Sequence, residues 1–303
     1  MNLNILEVKK EKKMKYKKIK HKLGFYQVEP MPTKEELKKY YEKVYFQNSK
    51  GSYTPTYTSS EKTYFMNEGI ASEYLWKKFT KKDKGRIFDV GCGEGFFSRY
   101  FQEIGWNVEC CDFSSYGIKT QNPSLLKHFM QGDIDEILDN KISKKEKYEL
   151  INLGNVLEHV LNPLELLDKL KKLMNKNSLL RIKVPNDFSK FQMLLLERKC
   201  IKDSWFAPPD HLNYFTFDSL KNVIIGRKFN INKMLADFPN EVYLSNKYSN
   251  YDKDKKKGKE CHNSRVLITN FLFEQGVDKY IKYMEAAGNC GFGRTITAFV
   301  SIK

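Results

Sequence analysis

The segment Phe88–Phe97, FDVGCGEGFF, is the first place where this chain offers chemistry. An apolar run ends at Val90, and Gly91, Gly93 and Gly95 lead into the next helix. Glycines at such a turn let the backbone approach a bound nucleotide with no Cβ in the way, and the helix then aims its first amides at the ligand. The spacing departs from the dinucleotide pattern G-x-G-x-x-G, because Phe96 follows Gly95, and no Gly-Lys-Ser/Thr follows as a Walker loop requires. Asp112 stands at the tip of the next strand, 23 residues beyond Asp89. A carboxylate there can accept both hydroxyls of a ribose, and Phe113 beside it can pack on the base. Asp133, followed by Ile134, closes the third strand and can face an exocyclic amino group of that base.

Five histidines are present: His21, His128, His159, His211 and His262. His211, in PPDHLNYF, falls in the loop after the fifth strand, at the carboxyl ends of the strands where open α/β sheets bind ligands. It is the first candidate for a general base, with Asp210 or Tyr214 as neighbours; the alternative is a histidine that anchors its loop through the backbone. His159 follows Glu158 where the fourth strand runs into a helix, and is either a second catalytic candidate or a wall of the pocket. Arg294, in GFGR, can grip a phosphate or carboxylate of a substrate or serve a structural ion pair. Tyr53 and Tyr57, in a tyrosine-rich loop, either close the site or pack on the domain surface.

Holding these groups together requires alternating strands and helices. Short apolar strands are predicted at RIFDV, NVECC, YELINL and LLRIKV, with helices near 96–104, 115–120, 134–139 and 163–174. The last helix has Asn162 as N-cap and Pro163 at its first position, with Leu166, Leu167, Leu170, Leu173 and Met174 on its apolar face. Such alternation predicts an α/β fold, a parallel sheet with helices on both faces. A helix over 217–226, a strand near 229–235 and a final strand TITAFVSI complete the domain, placed at 81–303. Residues 237–294 lie between the last two strands and are long enough for a helical cap insertion. Ahead of the domain, residues 1–23 read as a basic, partly disordered leader. Residues 24–80 read as an N-terminal helical extension: a short strand in GFYQVEP, a helix boxed by Thr33 and Glu36, and a longer helix from Ser60 to Phe79.

Composition bounds the rest. The 303 residues are 41% hydrophobic, enough for a globular core, and contain no apolar run of membrane-spanning length. Six cysteines without CxxC pairing read as reduced thiols of a cytoplasmic protein without a structural metal. The net charge of +16 invites nucleic acid, but the lysine runs at 8–22 and 251–260 carry most of it. Lysines outnumber arginines 46 to 7, whereas base and phosphate recognition favours arginine forks, so nucleic acid is not the expected partner.

The elements DVGCGEG, D-F-S, GD and NVLEHV-NP occur in order, and over roughly residues 60–303 the chain resembles bacterial class I S-adenosylmethionine-dependent methyltransferases. The resemblance implies a Rossmann-like sheet of seven strands, mostly parallel, with the last strand antiparallel. It implies S-adenosyl-L-methionine as cofactor, held by Asp89, Gly91, Cys92, Gly93, Asp112, Phe113, Asp133, Ile134 and Asn155. It implies a substrate site drawing on Tyr57, Tyr214 and Arg294. The ExxEH metal arrangement of some members is interrupted, because Asn155 stands where its first Glu would be, so no metal is expected. The pieces DHLNYFT, FPNE and GFGR are similar to methyltransferases of surface-polysaccharide and glycan-modification clusters. That similarity implies O-methylation of a nucleotide-activated sugar or phosphorylated precursor of a capsule or surface glycan. Three alternatives stay open: an RNA or protein methyltransferase docking through the basic leader, an NAD-dependent sugar-modifying enzyme, and a cofactor-binding subunit without catalysis of its own.

Overall fold

A computed structural model describes residues 16–40, 56–202 and 205–303. The chain opens with a hairpin of β1 (Lys17–Lys20) and β2 (Tyr26–Glu29), followed by α1 (Lys34–Tyr40). The long helix α2 (Ser59–Thr80) then starts at a reciprocal cap, in which Thr58 Oγ1 accepts from Glu61 N while Glu61 accepts from Thr58 N. From there strands and helices alternate: β3 (Arg86–Val90), α3 (Phe96–Glu103), β4 (Asn107–Asp112), α4 (Tyr116–Gln121), β5 (Phe129–Gln131), α5 (Ile134–Ser143), β6 (Tyr148–Gly154), α6 (Pro163–Lys172) and β7 (Met174–Pro185). The remainder comprises α7 (Lys190–Glu197), β8 (Asn213–Tyr214), α8 (Phe217–Gly226), β9 (Phe229–Ala236), α9 (Glu241–Leu244), α10 (Gly258–Glu274), α11 (Val277–Asn289) and β10 (Thr295–Ile302).

Seven strands form the main sheet in the order β5-β4-β3-β6-β7-β10-β9, with β10 antiparallel to both its neighbours and the others parallel. This is the Rossmann-like arrangement expected from the motifs. Its central strands are buried on both faces, so they read as nearly continuous apolar runs. One face packs against α5, α6 and α8 through Leu138, Leu166, Leu170, Leu220 and Ile224. The other packs against α2, α3 and α11 through Leu75, Trp76, Phe101, Ile281 and Met284.

Four boundaries differ from the sequence expectation. Lys17–Lys20 of the presumed leader are an edge strand, paired in register from Lys17 opposite Glu29 to Lys20 opposite Tyr26; residues 1–15 lie outside the described residues. The region 24–80 divides, because β2 pairs with β8 of the main domain while α2 covers the sheet, its Trp76 fully buried and donating from Nε1 to Glu149 O. Met174 begins β7 instead of ending α6. Finally, α10 and α11 pack on α2 and the sheet edge, as Asn67 Nδ2 donating to Asn270 Oδ1 and the burial of Met284 attest. Of the presumed cap, the stretch 237–257 and Arg294 at its end reach the face where the strands end.

Candidate functional site

The glycine loop sits over a chain of buried polar groups. Asp89, on β3, is fully buried and accepts from Ser98 Oγ at 2.7 Å and Asn152 Nδ2 at 2.6 Å. Asn152 in turn accepts from Arg181 at 2.7 Å, and Arg181 pairs with Glu68 at 2.8 Å, where Lys183 joins it. Burial alone would raise the Glu68 carboxyl, but Lys183 and Arg181 hold it down to about 2. Asp89, expected to bind cofactor, is therefore a positioning group: it ties the loop strand to β6 and the helix after the loop, with no exposed surface for a ligand.

Above it, Gly91 has φ +71°, and a Cβ there would lie 2.3 Å from Val156 Cγ2, which is why only glycine fits. Gly91 N and Cys92 N both donate to Cys111 O, and Gly93 N donates to Asp112 Oδ2 at 2.9 Å. The loop is thereby laced to the end of β4. Asp112 also accepts from Ser114 N at 3.1 Å, and burial raises its pKa. Phe113 is 38% exposed beside it, the state of an aromatic surface open to a flat ligand. The cradle, the carboxylate at the strand tip and the open ring fit an adenosyl cofactor.

Other residues assigned to the cofactor take different places. Asp133 caps α5, accepting from Asp135 N at 2.8 Å, and pairs with Lys34 at 2.8 Å. Ile134 is the first residue of that helix and packs against the core. Asn155 has φ +55° and donates from its backbone to Lys183 O. Tyr57, assigned to the substrate, lies on the cofactor side: its hydroxyl donates to Glu94 of the glycine loop at 2.7 Å and its ring meets Phe96 edge-on. Burial pushes the Glu94 carboxyl up to about 7, against the lowering effect of Tyr57. Tyr53 lies outside the described residues.

A second centre forms at the carboxyl ends of β6 and β7. Residues 155–160 are a turn, not the helix start expected for His159. That turn is stitched to the loop carrying His211: Leu212 N and Asn213 N both donate to Glu158 O, and Asn213 Nδ2 donates to Val160 O at 2.7 Å. The stitching brings the His159 and His211 rings to 4.8 Å, nearly perpendicular. His211 Nδ1 lies 3.7 Å from Asp187 Oδ2, on the segment after β7. Asp187, missed in the sequence, is the acidic partner, in place of the expected Asp210. Asp210 instead faces His159, whose Nδ1 is 2.6 Å from Asp210 O. Tyr214, expected to touch substrate, is fully buried; its hydroxyl donates to His211 O at 2.9 Å and so pins the loop.

The electrostatics of this centre are set by burial. It pushes Glu158 up to about 8 and, with His211 beside it, lowers His159 to about 4. For His211 burial works against protonation, but Asp187, Glu158 and Asp210 outweigh it and hold the imidazole above its ordinary value. The ligand atoms of Glu158, His159 and His211 lie within 4.8 Å of one another, a spacing one divalent ion could bridge, which makes the three a candidate cation site.

His211, Asp187 and Asp210 open onto a cavity of about 240 Å³ whose remaining wall includes Trp205, Glu241, Tyr251 and Arg294. Its lining comes from the segments after β7, before β8, after β9 and before β10, and β7 stands two strands from β3, roughly 10 Å across the sheet. Arg294 does reach it, but its guanidinium lies 3.4 Å from Asp187 Oδ1 and its backbone donates to Asp237.

A nucleoside cradle at the end of β3 and β4, beside a second pocket at the end of β6 and β7, is the layout of a group-transfer enzyme of the Rossmann-like class. A family model described as "Methyltransferase domain" matches residues 63–232, more than half of the chain. The chain belongs to that family, and its cofactor is S-adenosylmethionine. Among curated proteins it is similar to the ubiquinone biosynthesis O-methyltransferase of Actinobacillus pleuropneumoniae serotype 7, 25% identical over 130 residues, covering 41% of this chain and 56% of that protein. The corresponding enzyme of Glaesserella parasuis is 27% identical over 117 residues, 37% and 50% of the two chains. The chain thus spans about half the length of the curated relatives it matches. Among solved structures it is similar to a SAM-dependent methyltransferase from Archaeoglobus fulgidus, with TM-score 0.48, 17% identity, and coverage of 78% of this chain and 94% of that one. It is also similar to the plantazolicin methyltransferase BpumL in complex with a monoazolic desmethylPZN analog and SAH, with TM-score 0.49, 15% identity and coverage of 80% and 85%. Among the described residues no helix is long and apolar enough to cross a membrane.

Proposed function

We propose that the protein transfers the cofactor's methyl group to a hydroxyl oxygen of a small acceptor of the sugar class, seated in the cavity beyond the carboxyl end of β7, with His211 taking the hydroxyl proton. The observation that carries this reading is the His211–Asp187 pair on the cavity wall: Asp187 is 2% exposed and stands 3.7 Å from Nδ1. A carboxylate on Nδ1 favours the tautomer whose Nε2 can accept a proton, and it stabilises the imidazolium that results. The methyl donor supplies the reactivity, and the protein's contribution is alignment, exclusion of water and this base. The sugar class is favoured by the likeness of DHLNYFT, FPNE and GFGR to enzymes of surface-glycan clusters, and we place the reaction there. Docking of RNA through the leader loses part of its motive, since Lys17–Lys20 are paired in a sheet.

The spacing of Glu158, His159 and His211 favours a second reading, in which these residues hold a divalent cation that binds the acceptor oxygen. One experiment tests both: release of S-adenosylhomocysteine in the presence of a panel of monosaccharides and nucleotide sugars, before and after chelation. Turnover that survives chelation and falls by about 10²-fold or more in His211→Ala, with cofactor affinity unchanged, is the expected result. Turnover restored only by added Mg²⁺ or Mn²⁺ would favour the cation, and normal turnover in His211→Ala would remove the base.

A further inference from the structure

Three residues of the cavity wall, Asp187, Asp210 and Glu241, each carry a buried carboxylate oxygen that makes no hydrogen bond within the protein. Asp187 and Glu241 are each 2% exposed, and each keeps one buried carboxylate oxygen outside hydrogen-bond distance of a donor: Glu241 Oε2, and Asp187 Oδ2, which faces His211 Nδ1 at 3.7 Å and has room for a second donor. Asp210 Oδ1 is in the same condition. The other oxygen of Glu241 is taken by Gln192 Nε2 at 2.8 Å, which fixes the carboxylate's orientation. Against these acids the inner wall offers one permanent cation, Arg294, and its charge is already shared between Asp187 and the neighbouring acids Glu241 and Asp237. Lys255 also borders the cavity, but its side chain is 80% exposed and faces Asp252 at 3.5 Å. The cavity is therefore net negative although the chain is strongly basic. A buried acceptor oxygen left unpaired costs about 1–3 kcal/mol, a cost that a ligand with N–H donors would offset.

A phosphorylated acceptor, the expectation drawn from the basic composition, is the wrong complement to this wall. Its oxygens would meet further oxygens, and the one guanidinium present is engaged. A protonated amine offers what is missing: three N–H donors in a small volume and a positive charge, with the Trp205 and Tyr251 rings as apolar and cation-attracting walls. Resting on the reading of this cavity as the acceptor site, we infer that the acceptor is an unphosphorylated amine-bearing polyol of the amino-sugar class, its ammonium held by Glu241 and Asp187.

Saturation-transfer NMR on the whole chain with S-adenosylhomocysteine bound tests this without requiring turnover. The probes are D-glucosamine, D-glucose and D-glucose 6-phosphate at millimolar concentration, with wild type and Glu241→Gln. The inference expects glucosamine to bind at least tenfold more tightly than the other two, and Glu241→Gln to erase most of that preference while S-adenosylhomocysteine still binds. Equal binding of the three sugars, preference for the phosphate, or binding of none overturns it, as does a preference that Glu241→Gln leaves intact. Selective glucosamine binding without release of S-adenosylhomocysteine in the turnover assay would instead leave this inference standing and count against the hydroxyl as methylated atom.

Discussion

Replacing Asp187 by Asn removes one charge and keeps the shape, so it isolates what the carboxylate does for His211. The pair stands at 3.7 Å with Asp187 almost wholly buried, where an opposite charge typically moves a pKa by about 1–3 units at roughly 1.4 kcal/mol per unit. Glu158 and Asp210 also raise His211, so Asp187→Asn should lower the imidazole midpoint and leave part of its elevation. The assay is a proton-NMR pH titration of the imidazole signals in chelator-treated protein, made tractable by there being five histidines. Wild-type His211 should titrate above its ordinary 6.5, and the variant closer to it. The sign carries into both rate and stability. His211 accepts a proton only when neutral, so methyl transfer should rise with pH through its midpoint, and the limb should move to lower pH in the variant. Because the folded pKa is raised, the pair's stabilisation is fully present below about 6.5 and is lost as pH rises through the folded midpoint, so the variant should lose stability chiefly at low pH. An unmoved His211 midpoint would refute the assignment of Asp187 as its partner.

Three further outcomes follow from the cofactor side. Asp112→Ala should weaken S-adenosylmethionine binding by about 1–3 kcal/mol, read by calorimetric titration in which NAD gives no heat; undiminished affinity would sink the ribose assignment. Gly91→Ala should cost about 2–4 kcal/mol in a denaturant melt, since φ +71° strains any side chain and the new Cβ meets Val156 at 2.3 Å. Val156→Ala added to it should recover the packing part, and no recovery would mean that the strain is wholly in the backbone. Glu68→Ala leaves Arg181 and Lys183 facing each other with no carboxylate between them and should cost about 3–5 kcal/mol; a loss below about 1 kcal/mol would show that water replaces the carboxylate.

The glycine loop and its link to the end of β4 were legible because their constraints are local. Gly91, Gly93 and Asp112 are fixed by a turn and two adjacent strands, and both the spacing and the residue types follow from that geometry. Asp89 carries the limit of the same logic: an acid at a motif position reads as a ligand, but whether its oxygens face the cleft or Ser98 and Asn152 depends on residues remote in sequence. Tyr214 fails for a similar reason, since its hydroxyl is consumed by the loop that carries His211. The hairpin at 17–29 was hidden because its first strand reads KKIK, a lysine run, and its second strand, β2, takes its other neighbour β8 from nearly two hundred residues away.

The acceptor half could not be read because no periodicity encodes it. Glu241 belongs to a four-residue helix in a region that looked like a detached cap, and Asp187 follows a proline at the end of a buried strand. Each becomes meaningful only when the sheet order sets β7 beside β6 and β10, bringing their flanking segments to one rim. Charge misled for the same reason. Net charge sums over a surface dominated by solvated lysines, whereas recognition depends on the few groups desolvated together at the site. A chain at +16 can therefore enclose a cavity whose buried valences are negative. The inferred acceptor class rests on the oxygens of Asp187 and Glu241 that make no hydrogen bond within the protein, because those are the groups whose desolvation a bound ligand would offset.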